Sequence, residues 1–93
     1  MMNLNQKYGK KRAARKKDKL NIKLKYKQDL LFLKNEEVDE WMEICKEVHE
    51  GELNFSLNIA TMSLGKTVRE RDVLVEEITE LEREIQLLNE DEF

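Results

Sequence analysis

A hydrophobic repeat of seven residues runs on both sides of Gly51, and it limits the folds open to this chain more than any other feature. The first run reads Leu20, Leu24, Lys27, Leu31, Lys34, Val38, Trp41, Cys45, Val48. The second reads Leu53, Leu57, Ala60, Leu64, Thr67, Arg71, Leu74, Ile78, Leu81, Ile85, Leu88. Alternating steps of four and three place each set along one stripe of an α-helix. Two stripes joined by a short turn can cover each other, so the pattern predicts an all-α fold, an antiparallel coiled-coil-like hairpin turning near Gly51. The hairpin is expected over residues 13–90, between a loose basic arm (1–12) and a frayed tail (91–93).

Composition agrees with helix. The 93 residues include no proline, three glycines and 40% charged side chains, which suits continuous helix better than a turn-rich β fold. A hairpin of this length has one narrow seam and buries a modest fraction of its surface, so further burial is expected in a dimer, as a helical bundle, or against a protein partner. One cysteine, Cys45, excludes an intramolecular disulfide, and a reducing, cytoplasmic location is the expectation. No apolar run is long enough to span a bilayer, and none follows the basic N-terminus as a secretory signal would require.

The net charge of −3 conceals a polarity. Residues 1–27 hold eleven Lys or Arg against Asp18 alone, net +10, while residues 28–93 are net −13. Folding back at Gly51 lays the basic stretch beside Glu76, Glu77, Glu80, Glu82, Glu84 and Glu90, so the polarity reads as internal complementarity that favours the antiparallel register. The same basic run is open to a second reading, in which Lys10, Lys11, Arg12, Arg15, Lys16 and Lys17 contact nucleic-acid phosphates. It has no interleaved aromatic residues to stack on bases. Ala13-Ala14 amid basic residues has the composition of a bZIP basic region, but Lys10 stands where that pattern needs asparagine and Asp18 where it needs arginine.

Two places interrupt the helical pattern. Asn35, followed by Glu36, Glu37 and Asp39, has the character of an N-cap. Gly65, followed by Thr67-Val68-Arg69-Glu70, offers capping-box spacing. Both fall at one height of the hairpin, so either the helices run through over a polar layer of Lys34, Thr67 and Arg71, or both break there. Residues 53–59 and 22–27 also alternate with a period of two, the strand signal, but the longer heptad governs both. A ribbon–helix–helix arrangement, with Asp29–Lys34 as strand, is a minor alternative, since Leu30-Leu31-Phe32-Leu33 puts no base-reading groups on such a strand.

Chemistry-bearing motifs are weak. Ala60 to Thr67 has P-loop spacing with alanine at the first glycine, but a P-loop needs a buried parallel strand before it, and the flanking pattern is helical. Cys45 and His49 share a helix face and could form half a metal site; a packed cysteine and a histidine near a helix C-terminus explain them as well. The one histidine supports no nucleophile–base arrangement. No catalytic residue, metal, cofactor or small-molecule substrate is predicted, and no membrane association. The expected function is that of a non-enzymatic adaptor, regulator or assembly subunit, binding itself or a protein partner through a central apolar band. Phe32, Trp41, Met42, Phe55, Ile59 and Met62 are its candidate contacts, because aromatic and methionine anchors carry much of the energy of such surfaces.

Overall fold

The computed structural model describes the backbone of residues 4–90 and the side chains of residues 14–90. It is an antiparallel helical hairpin of two elements, α1 (Leu4–His49) and α2 (Leu57–Glu90), packed against each other along the length of α2. The molecule is a rod of 76 × 15 × 14 Å. At 1.5 Å per residue the 46 residues of α1 alone account for about 69 Å of that length.

The seam is the predicted one. Every residue of the first heptad run, from Leu20 to Val48, is withdrawn from solvent, with Leu20 and Val38 most buried. On α2 the same holds from Ala60 to Leu88, with Ala60, Thr67 and Ile78 buried. Ion pairs mark the register. Lys27 pairs with Glu77 and Lys34 with Glu70, so a step of seven on α1 is answered by a step of seven on α2. The basic half of α1 therefore lies beside the acidic half of α2. Lys23 and Lys27 line one surface groove with Glu77 and Glu80, and Lys16 another with Glu84.

Neither interior interruption breaks a helix. α1 runs through Asn35 and α2 through Gly65. The level of these residues is the polar layer. Lys34 reaches out of the seam to Glu70 and Glu37, and the buried Thr67 hydroxyl donates to the Ser63 carbonyl at 2.8 Å. With its polar groups paired, the layer lets both helices continue. A helical glycine costs roughly 1 kcal/mol relative to alanine, which seam burial on either side of Gly65 outweighs.

Three expectations are corrected. The helix begins at Leu4, so the backbone of residues 4–12, expected as a loose arm, is helical; residues 1–3 and the expected frayed tail 91–93 lie outside the described residues. The basic run contains strong helix formers and no proline, and it extends a helix already nucleated by the seam. The second helix starts at Leu57 rather than at Leu53, and Leu53 and Leu57 are exposed. The reason is Ser56, whose side-chain oxygen accepts the Ile59 N–H at 3.3 Å while its carbonyl accepts the Ala60 N–H at 2.9 Å, an N-cap arrangement. Finally, Asp29–Lys34 is helical, which removes the ribbon–helix–helix alternative.

The turn is built on Gly51. Its φ of +79° is the left-handed conformation, and the Gly51 N–H donates to Val48 O (3.1 Å) while the Glu52 N–H donates to Glu47 O (2.9 Å). These two bonds make a Schellman cap. A Cβ at Gly51 would meet nothing within 4 Å, so substitution is opposed by the backbone conformation alone. Gly51→Ala is expected to lower hairpin stability by about 1–2 kcal/mol, and Gly51→Asn by less, in urea unfolding followed by circular dichroism. Ser56→Ala should cost about 0.5–2 kcal/mol in the same assay, with helix content unchanged in the folded baseline.

Candidate interaction surface

After the seam closes, a set of large apolar side chains remains outside it. Phe32 is 64% exposed, Met42 56% and Met62 73%, and Phe55 and Ile59 are about half exposed. These are five of the six predicted contact residues. The sixth, Trp41, belongs elsewhere: it is a half-buried member of the seam. A large ring partly withdrawn at a seam position contributes its area to the hairpin, so Trp41 supports the fold before it can anchor a partner.

The five do not form one band. Ile59 and Met62 sit a turn apart on the outward face of α2, on a shallow groove shared with Gly65, Lys66 and Arg69. Phe55 lies in the connection just before the Ser56 cap. Phe32 and Met42 share a face of α1, ten residues and about 15 Å apart. The structure also exposes apolar residues the sequence reading left aside, among them Ile22, Tyr26, Val73, Val75 and Leu87. Their positions outside the heptad run were the available signal.

The predicted nucleic-acid contacts divide. The side chains of Lys10, Lys11 and Arg12 are outside the described residues. Arg15 and Lys16 are exposed, and Lys17 is partly covered and has an interaction of its own. Register places the α2 terminus, Glu90, level with Ala14, so the segment of α1 before Ala14 has no length of α2 beside it.

Other motifs resolve simply. Ala60 to Thr67 is one continuous stretch of α2, its backbone N–H groups engaged in helix rather than arranged as a phosphate-binding loop. Cys45 is half-buried in the seam and His49 is exposed in the last turn of α1. Among the described residues no group of three or more His, Cys, Asp or Glu side chains converges, and no helix is long and apolar enough to cross a membrane.

Among the described residues, Lys34, Glu37 and Glu70 form a charge cluster at the polar layer. Lys34 Nζ lies 2.8 Å from Glu70 Oε2 and 3.1 Å from Glu37 Oε2. Hydrogen bonding to Glu70, then to Glu37, raises the Lys34 pKa above its ordinary 10.5. The same bond to Lys34 lowers Glu70 below its ordinary 4.5. A lowered carboxylate contributes stability that is present above 4.5 and lost as pH falls through the shifted value. A raised lysine contributes stability that is present below 10.5 and lost as pH rises through its own shifted value. Both groups are solvated enough that the effect is modest. The denaturation midpoint should therefore hold a plateau at neutral pH and fall on both sides, and Glu70→Gln should flatten part of the acid limb; an unchanged acid limb would show that the pair contributes nothing. No protein-family model matches the chain, and no curated protein or solved structure shows a significant similarity to it.

Proposed function

We propose that this hairpin is a small non-enzymatic interaction module, an adaptor, regulator or assembly subunit that works by binding protein. The observation that carries the reading is the exposure of Phe32, Met42, Phe55, Ile59 and Met62 once the seam is closed. Scattered single apolar residues are ordinary on any surface, but contiguous apolar ones rimmed by polar groups mark association sites. Ile59 and Met62 on one shallow groove, with Lys66 and Arg69 at its edge, have that composition. Methionine and aromatic side chains adapt well to a partner's shape. A single free cysteine is consistent with a reducing, cytoplasmic setting.

The second reading, nucleic-acid binding, is favoured by one observation: the basic start of α1 runs past the end of α2 and so lies away from the acidic helix. Contacts of this kind would be to phosphate, which orients a protein without choosing sequence.

The two are separated by a photo-cross-linking residue placed at Met62 or at Lys16 in the full chain, expressed in cells and irradiated. Position 62 should yield discrete protein adducts that disappear with Ile59→Glu, and position 16 should yield no nucleic-acid adduct. Nucleic-acid adducts at 16, together with duplex binding that falls steeply with salt and no protein adduct at 62, would replace the first reading with the second.

A further inference from the structure

The two flanks of the seam differ in a way that defines a surface for a second copy of this chain. One flank is closed by charge. Glu37 on α1 and Glu70 and Glu77 on α2 lie there, each one residue before a seam position; Glu70 and Glu77 bind Lys34 and Lys27 across the seam, and Glu37 binds Lys34 along its own helix. The opposite flank consists of the residues one position after every second seam member, counted from Leu20 on α1 and Ala60 on α2; the residues after the remaining members, among them Lys25, Phe32, Asp39, Lys46 and Asp72, form an outer row beside it. On α1 the flank residues are Asn21, Gln28, Asn35, Met42 and His49; on α2 they are Thr61, Val68, Val75, Glu82 and Asn89. Glu82 is the one Asp, Glu, Lys or Arg among the ten. An uncharged strip along a chain that is 40% charged requires a reason, and a covered surface supplies one. Phe32 borders the strip on α1, and Gly65 and Thr79 border it on α2.

We propose that two hairpins pack along this strip with their turns at opposite ends, α1 against α1 and α2 against α2, in an antiparallel four-helix bundle. The proposal rests on the reading of the hairpin as a protein-binding module and names one of its partners.

Self-complementarity supports the arrangement. A two-fold interface requires that if residue i meets j, then j meets i. With the axis at Phe32, the outer row of α1 sets Lys25 against Asp39 of the second copy and Asp18 against Lys46 of the second copy, with Phe32 on Phe32. The inner row sets Gln28 against Asn35 and Asn21 against Met42. Sliding one copy past the other by one seven-residue repeat puts Asp18 on Asp39 in one direction and Lys25 on Lys46 in the other. Both are like-charge contacts, which such interfaces exclude. Across the seam, the same axis sets Val68 against Val75 and Gly65 against Thr79 on α2. Asp72 then meets Asp72 of the second copy near the axis, the one like-charge contact of this arrangement, with Arg71 at 3.2 Å on each copy. Turning the second copy so that the turns coincide would instead lay Phe32 on Asp72 and Lys25 and Asp39 on uncharged residues. Lys25 holds only an exposed bond to Asp29, a type of pair worth little by itself, so it is available to Asp39.

The areas agree. The hairpin presents 7750 Å² to solvent, against about 5,700 Å² for a compact monomer of its mass. The paired length of about 54 Å and the 15 Å width give a face of about 800 Å² per copy, the size of a standard interface.

The test begins with sedimentation equilibrium of the full chain, which should report twice the 11.1 kDa monomer mass. In a Cys45→Ala background, Phe32→Cys should oxidise to a covalent dimer, whereas Leu33→Cys, one residue away on another face, should not. Lys25→Asp should weaken the dimer at least tenfold, and adding Asp39→Lys should restore it. Phe32, Leu33, Lys25 and Asp39 are all exposed, so helix content and monomer folding are expected to survive every change. A monomer at about 100 µM, equal cross-linking at 32 and 33, or a double charge variant as weak as the single one would overturn the proposal. Cross-linking at Met62, on the outward face of α2, reports on the protein-binding reading independently of this outcome.

Discussion

Burial of one seam is the constraint from which the rest of this structure follows. A single helix with a seven-residue apolar stripe has nothing to cover it, and isolated helices gain little stability from propensity alone. The chain solves this by folding back on itself, and the 46-residue α1 and 34-residue α2 then cover each other's stripes. The core that results is thin. Leu20, Val38, Ala60 and Ile78 are its buried apolar residues, joined by Thr67. Because so few side chains are fully withdrawn, groups at the margins of the seam carry weight that they would not have in a larger protein.

Lys27, Lys34, Thr67 and Arg71 occupy seam positions where an apolar residue would bury more area. The two lysines extend from these positions to acidic residues on α2, keeping their stems along the seam and their charges at its edge. Thr67 satisfies its hydroxyl within its own helix. Polar members of this kind lower stability relative to leucine but restrict which partner and which register the helix accepts. With Lys27 matched to Glu77 and Lys34 to Glu70, a slide of the helices along each other would separate both pairs at once.

The closing of the seam also determines what the surface becomes. Charges collect on one flank, where the cross-helix pairs lie, and are sparse on the other. The apolar residues that the hairpin cannot bury lie on the outward faces of both helices, in the connection between them and along the uncharged flank. A rod with an uncharged flank and an apolar outward face can support self-association along one and attachment of a different protein on the other, which is the organisation expected of an adaptor or assembly subunit.

Much of the fold was legible in the sequence because a heptad pattern is a local property: the spacing of Leu74, Ile78, Leu81 and Ile85 defines a helical stripe whatever lies opposite. The turn was legible for a similar reason, since Gly51 ends the first run and glycine tolerates positive φ. The start of α2 was not, because Leu53 and Leu57 continue the apolar spacing and only the hydrogen bonds of Ser56 reveal the cap. The outcome at Asn35 and Gly65 also lay beyond the sequence, since capping residues there compete with seam burial and only the packed helices decide between them. Trp41 illustrates the same division for the surface. Its heptad position was readable, but how much of the ring the seam would cover was decided only once the second helix lay beside it. The sequence by itself determined which stripes must be buried; the tertiary structure alone decided which flank kept its charge and which apolar residues remained exposed, because those properties exist only once two distant segments share one register.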